Sequence, residues 1–208
     1  MPVTGTVPTK SWGGIVRGNI PGGDGAPIGG GGPLMPTGQL FVWLLIAGVT
    51  MFFAALSSAA IVRIGVDGRS LSLPGIVWAN TLVLLASSGV LGILQWRVRR
   101  QRELDRRGQL LLWATLLLGV GFLGGQLAAW AELARRGVFL PSFPAASFFY
   151  VLTAAHGLHL LGGLLALALL IAVRKRLLVF RRRLGPVALY WHFLTLVWLG
   201  LLGILQWR

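Results

Sequence analysis

Five long apolar stretches, separated by short polar segments, dominate the pattern of hydrophobic and polar positions along the chain. Each is long enough to cross the roughly 30 Å hydrocarbon core of a bilayer as an α-helix. Lipid offers no partners to backbone amides, and the alternating pattern of membrane strands is missing, so an all-α, polytopic bundle of five transmembrane helices is predicted. The predicted spans lie near residues 40–62, 74–96, 109–133, 145–173 and 186–207.

Residues 1–37 differ in composition from the remainder of the chain. They contain eleven glycines and six prolines, and such a segment buries too little apolar surface to offset the entropy of ordering. We therefore expect a flexible, Gly/Pro-rich cytoplasmic tail, followed by the five-helix transmembrane domain at residues 38–208. Only 12% of all residues are charged, about half the share in a soluble domain, so most of the surface is expected to face lipid.

The basic residues predict the orientation of the bundle. Fourteen of the nineteen lysines and arginines fall in the tail, in the segment after the second span and in the segment after the fourth. These three segments share one side of a five-span protein, so the positive-inside rule places the N-terminus in the cytoplasm and the C-terminus outside. The net charge of +14 is thus explained by topology and anionic lipid, and no nucleic-acid partner is expected.

All three histidines, His156, His159 and His192, lie within apolar stretches, whereas all five acidic residues fall in the tail, in loops or at a helix end. Proton relays through membranes combine carboxylates with histidines, and no such chain of groups is present. Glu132 is expected to pair with Arg135 or Arg136 in the following turn. The absence of cysteine also excludes thiolate metal sites and covalently attached c-type haem.

A metal or haem site shared by His159 and His192 is disfavoured by their predicted depths. At about 1.5 Å per residue, His159 lies roughly 21 Å above the inner end of the fourth span, and His192 lies roughly 9 Å above that of the fifth. A difference of about 12 Å is too large for one metal ion, whose histidine nitrogens lie about 2 Å away. We expect no catalytic, cofactor or metal site on this chain.

Small and polar residues within the spans predict helix packing instead. Gly121 and Gly125 have the four-residue spacing that allows two helices to approach closely in lipid, either within this bundle or against another membrane subunit. Intramembrane polar groups normally face protein rather than lipid. The candidates for polar helix packing or lipid contact are Asn80, Gln126, His156, His159, Trp191 and His192.

Four segments together resemble subunit III of the haem-copper cytochrome oxidases. The segment Ser147–Gly163 is similar to that family's histidine-bearing helix, and Tyr190–Trp198 resembles its final Tyr-Trp-His-Phe helix. Asn80–Ser88 and Phe122–Leu127 are similar to two further helices, in the expected order. The resemblance covers residues 37–208.

This resemblance implies an accessory, non-catalytic subunit of a proton-pumping cytochrome c oxidase of the aerobic respiratory chain. Such a subunit packs with oxidase subunits I and II in the cell inner (plasma) membrane, binds phospholipid and supports turnover, while haem and copper reside in the partner subunits. One alternative is the homologous subunit of a nitric oxide reductase or a quinol oxidase. Another, from a different class, is a stand-alone membrane transporter or lipid-binding protein.

The chain departs from the family pattern at two positions and in its number of spans. Val49 stands where the family has an intramembrane glutamate, and Thr195 stands where it has an aspartate three residues after the final histidine. Without that carboxylate we expect a neutral His192, bonded to Asn80, Thr195 or a backbone carbonyl. The chain resembles the five-span members of the family, which lack the first two helices of the seven-span version, and those two helices form part of the family's lipid cleft.

Overall fold

A computed structural model describes residues 37–68, 71–101 and 104–206, and all five predicted helices are present. They are α1 (Thr37–Asp67), α2 (Gly75–Gln101), α3 (Arg106–Arg135), α4 (Pro144–Ala172) and α5 (Leu177–Gln206). Each is long and apolar enough to cross a membrane, and no strand occurs in the described ranges. The all-α, five-span prediction is confirmed. Apart from Thr37, the predicted flexible tail lies outside the described residues.

Short local motifs determine where the helices begin and end. Asp105 caps α3 by accepting a hydrogen bond from the Gly108 amide at 2.8 Å, which satisfies one of the free donors of the first turn. At the other end Gly137, with φ of +76°, allows a reversal in which the Val138 amide donates to Leu133. Pro144 opens α4, where its missing N–H costs nothing.

The fifth helix begins nine residues before the predicted span. It includes Pro186, which the sequence placed at the start of the span. Phe180 and Leu184 are buried against the bundle, whereas Arg181–Arg183 are exposed, so the added turns are amphipathic and stable against the neighbouring helices. Proline leaves the carbonyl of Arg182 without a helical donor, and this carbonyl belongs to the polar part of the helix.

Four helices form a ring, and the first packs on its outside. Helix α3 lies between α2 and α4, and α5 lies between α4 and α2, so consecutive helices of the ring are antiparallel neighbours. Helix α1 contacts α4 and α5 and, within the described residues, neither α2 nor α3. It is the least buried of the five helices. The core of the ring therefore contains side chains of α2 to α5, with α1 covering one seam.

Candidate functional site

His156 lies at the centre of the bundle, with no exposed surface. Its ring centroid is 5.2 Å from that of Trp198 on α5 and 5.9 Å from that of Phe122 on α3. Phe53 of α1 lies further out, at 6.5 Å. Neither ring nitrogen of His156 has a hydrogen-bond partner among the described residues. This candidate therefore faces protein, as expected, but its polar atoms are not paired.

Helix α2 is tied to the region around His156 through two hydrogen bonds that cross helix interfaces. The Asn80 amide donates to the Phe122 carbonyl of α3 at 2.9 Å. The indole N–H of Trp198 donates to the Thr81 hydroxyl at 3.0 Å, and that hydroxyl donates to its own helix. Asn80 can approach α3 because Gly125 has no side chain, since a Cβ at this position would collide with the amide. Gly125 thus fulfils the predicted packing role.

Gln126 lies on α3, one turn from Phe122 and on the same face of the helix. It is 4% exposed, and neither its side-chain oxygen nor its nitrogen has a partner among the described residues. One turn further along α3, the Trp130 indole donates to the Thr153 hydroxyl of α4 at 3.1 Å. These groups form a buried polar layer, defined here as Asn80, Thr81, Gln126, Thr153, His156 and Trp198.

His159 faces α1 rather than the centre of the ring. It is half-buried, and its ring centroid is 5.4 Å from that of Phe53. The Nδ1–H donates to the Ala155 carbonyl of its own helix at 2.8 Å. The backbone carbonyl of His159 accepts a long bond of 3.4 Å from the Tyr190 hydroxyl. His159 therefore links α4 to both α1 and α5 through side-chain and backbone contacts.

His192 has a partner that the sequence did not suggest. Its Nδ1 lies 2.6 Å from the Ser88 hydroxyl of α2. The expected partners are engaged elsewhere, because Asn80 donates to α3 and Thr195 donates to the Trp191 carbonyl in its own helix. The prediction of those partners is wrong for a geometric reason, since His192 points towards α2 at a level occupied by Ser88.

The predicted depth difference between His159 and His192 is also too large. His156 lies opposite Trp198, and Gly163 lies opposite Trp191, so His159 is level with residue 195. His192 is then about three residues, or roughly 4 to 5 Å, below His159. The estimate of about 12 Å failed because the assumed inner ends of α4 and α5 are not level. The two rings are separated instead by direction, one facing α1 and the other α2.

Trp191 fills the core between α3 and α4. A Cβ at Gly119 would come within 2.6 Å of its ring, and a Cβ at Gly163 within 3.2 Å. Its indole nitrogen is buried without a partner among the described residues. By contrast, Gly121 and Gly124 have open space around them. Of the two expected roles for small residues on α3, packing within the bundle applies to Gly119 and Gly125, whereas Gly121 makes no such close contact and is left for packing against another membrane subunit.

Ion pairs lie at the ends of the helices. Glu132 pairs with Arg136 at 3.1 Å and with Arg135 at 3.4 Å, as predicted. At the opposite side of the bundle Arg97 binds Asp105 at 2.9 Å. The Gly108 amide, followed by Arg97, holds the pKa of Asp105 below its usual value. In the described ranges no three potential metal ligands lie together.

The five-helix fold and the buried polar layer define a multi-pass membrane protein in which buried polar groups tie helices together. The sequence model of the family "Cytochrome c oxidase subunit III" matches residues 41–208, four fifths of the chain. Cytochrome c oxidase subunit 3 of Bacillus sp. (strain PS3) is 32% identical over 75% of this chain and 78% of its own length. The chain belongs to the cytochrome c oxidase subunit III family, which confirms the resemblance.

Other relatives include proteins named for two different electron donors. The probable cytochrome c oxidase subunit 3 of Nocardia farcinica is 37% identical, although the match covers 42% of this chain and less than half of that protein, 44%. Cytochrome bo(3) ubiquinol oxidase subunit 3 of Pseudomonas aeruginosa is 30% identical over 76% of this chain and 78% of its own length. Family membership therefore fixes the class of subunit and leaves the donor to be argued separately.

Proposed function

We propose that this chain is the accessory subunit III of a cytochrome c oxidase in the aerobic respiratory chain, without a redox centre of its own. The observation that carries this proposal is how the membrane histidines are oriented. His156 lies among aromatic rings, His159 donates to its own backbone and faces α1, and His192 shares a hydrogen bond with Ser88. Histidines that bind a haem or copper must converge on one point, and these three diverge. The haem and copper then belong to partner subunits.

The partners in this proposal are oxidase subunits I and II. Helix α1 supports the idea of a large neighbour, because most of its apolar side chains are exposed, with Met51 and Val66 among the most exposed. Gly121 and Gly124 present an open, small-residue surface on α3 that would allow another helix to approach closely. A polytopic catalytic subunit packed against such surfaces would be held by shape and dispersion forces.

Phospholipid is the second proposed partner. A groove of about 390 Å³ lies between α1, α4 and α5, and its lining is almost entirely apolar, with Phe41, Leu45, Leu158 and Val187 among its residues. This lining suits an acyl chain. The exposed arginines Arg181–Arg183 precede the groove residue Pro186 on α5, where they would suit a lipid phosphate.

The proposed location is the cell inner (plasma) membrane, with the basic side of the bundle in the cytoplasm. The start of α1, the end of α2, the start of α3, the end of α4 and the start of α5 share one side of the bundle, by alternation of the helices. Most of the described arginines flank these ends. The positive-inside rule then supports a cytoplasmic N-terminus and an external C-terminus.

Affinity purification in mild detergent tests the proposed function directly. A tagged copy of the full chain in its native membrane is expected to recover a coloured complex that contains haem and copper and oxidises reduced cytochrome c. A colourless, monodisperse single chain would contradict the proposal. Deletion of the chain should leave the haem spectrum of the residual oxidase unchanged and shorten the time for which it sustains turnover.

A quinol-oxidising complex is the second candidate, because relatives named quinol oxidase and ubiquinol oxidase subunit 3 match the chain at 36% and 30% identity. The same purified complex separates the two candidates. Oxygen consumption with a reduced quinol, together with no activity on reduced cytochrome c, would replace the first candidate with the second. Either outcome keeps the role of an accessory subunit.

A further inference from the structure

Five polar atoms in the bundle core lack any partner among the described residues; one is the Trp191 indole nitrogen, and the other four come from only two side chains. These four are Nδ1 and Nε2 of His156 on α4, and Oε1 and Nε2 of Gln126 on α3. The two side chains are 0% and 4% exposed. An unpaired polar group is costly when it is buried in protein. Folded proteins therefore rarely leave such groups without a hydrogen-bond partner.

The contacts between α3 and α4 place these two side chains in one layer. Phe122 contacts His156, and Trp130 is hydrogen-bonded to Thr153. Gln126 lies midway between Phe122 and Trp130, one turn from each along the same face of α3. His156 and Thr153 are likewise one turn apart on α4. Gln126 is therefore held opposite the turn of α4 that carries His156.

The hydroxyl and indole groups of the layer are already engaged. The Thr153 hydroxyl donates to the Phe149 carbonyl and accepts from Trp130. Thr81 donates to its own helix and accepts from Trp198. Three aromatic rings, those of Phe53, Phe122 and Trp198, pack around the imidazole and offer it no side-chain acceptor. A partner for His156 and Gln126 must therefore be small, must both donate and accept hydrogen bonds, and must fit between two helices.

We propose that His156 and Gln126 form a binding site for an ordered water molecule buried between α3 and α4. A neutral imidazole offers one donor and one acceptor, and the amide offers two donors and one acceptor. Buried waters typically make about three hydrogen bonds to otherwise unpaired groups, which this pair can supply. The water joins α3 to α4 at the level where Asn80 and Trp198 join the other helices. The site holds the helices in register and needs no ionised group.

The direct test is a map of the intact wild-type complex in lipid at about 2 Å resolution. We expect a single density peak within roughly 2.6–3.2 Å of a nitrogen of His156 and of an amide atom of Gln126. A direct hydrogen bond between the two side chains would overturn the proposal. So would a map with no density between them. Because this measurement uses the unaltered chain, it does not depend on whether any variant folds.

A double-mutant cycle provides the second test. Gln126→Met and His156→Phe remove the polar atoms at similar volume, and each alone leaves the water with fewer partners. We expect each single variant to lower the temperature at which the complex loses this subunit, and the double variant to lower it by clearly less than the sum of the two shifts. Strictly additive shifts would contradict a shared water.

A matched control uses Thr115→Val on α3. Thr115 is equally buried but donates to the Leu111 carbonyl of its own helix, so its hydroxyl needs no shared partner. Combined with His156→Phe, it is expected to give an additive shift. Coupling of the same size in this pair would mean that the cycle reports general loosening of the core, and the water site would then be rejected.

Discussion

The Nδ1 atom of His192 and the hydroxyl of Ser88 lie 2.6 Å apart across the interface between α5 and α2. This bond gives a half-buried membrane histidine a partner without any carboxylate. It lies two turns from the Trp198–Thr81 bond, so two side-chain bonds hold α2 against α5 on this seam. Neither bond involves a carboxylate, lysine or arginine, which agrees with a role in holding the two helices together.

Replacing Ser88 tests the strength of this bond. Ser88→Ala removes the hydroxyl and leaves His192 without its partner. We expect a loss of about 0.6 kcal/mol, the average for hydrogen bonds between membrane helices, and at most about 1.7 kcal/mol. Thermal dissociation of the subunit from the purified complex measures it. Ser58→Ala is the control, because Ser58 is exposed on α1. Equal stability of the two variants would show that the Ser88–His192 bond contributes nothing.

The same substitution should destabilise the subunit at one glycine of α3 and have no effect on its stability at another. At Gly119 an added Cβ meets Trp191 and Leu164 at under 3 Å, and the ring is enclosed in the core. Gly119→Ala is expected to destabilise the subunit by about 1–3 kcal/mol through overpacking. Gly121→Ala has open space within the chain and should leave the isolated subunit unchanged. Thermal unfolding of the isolated subunit is the readout, because Gly121 lies on the surface proposed for a partner helix, and a neutral Gly119→Ala would contradict the packing.

Val49 is buried at 4% exposure, at the position where the family resemblance implies a glutamate. Val49 is part of the buried hydrophobic core, where an ionised side chain has no water to stabilise its charge. Val49→Glu is expected to cost several kcal/mol of membrane stability and to lower the yield of assembled complex. Val49→Leu is the control of similar polarity. Normal assembly of the glutamate variant would reveal an unrecognised partner.

The Asp105 cap makes a pH-dependent contribution at the basic side of the bundle. The Gly108 amide and then Arg97 lower its pKa below 3.8, so its folded-state pKa lies below the unfolded value. The stabilisation is therefore fully present above the unfolded pKa and is lost as the pH falls through the lowered folded pKa. Hydrogen exchange of the Gly108 amide at neutral pH should speed up in Asp105→Ala and much less in Asp105→Asn, which retains an acceptor. Identical exchange in all three proteins would exclude the cap.

Physical constraints that act along the chain made the five helices predictable. Lipid requires every backbone amide to bond within its own segment, so the length of the apolar runs sufficed to locate α1 to α4. The Glu132 ion pairs were predictable because they join residues within one turn. The first turns of α5 were not predictable. Arg181–Arg183 indicate a loop in the sequence, and only the structure shows that Phe180 and Leu184 pack inward.

Relationships between helices required the tertiary structure. The sequence selected His156, Gln126 and Asn80 as polar groups, but it contained no information on the relative height or rotation of two helices. These depend on side-chain packing in the whole ring, so Gly119 rather than Gly121 faces inward, and Ser88 rather than Thr195 binds His192. The membrane environment determines each helix locally, whereas the packing of the helices determines which polar atoms form hydrogen bonds with each other and which are left to bind water.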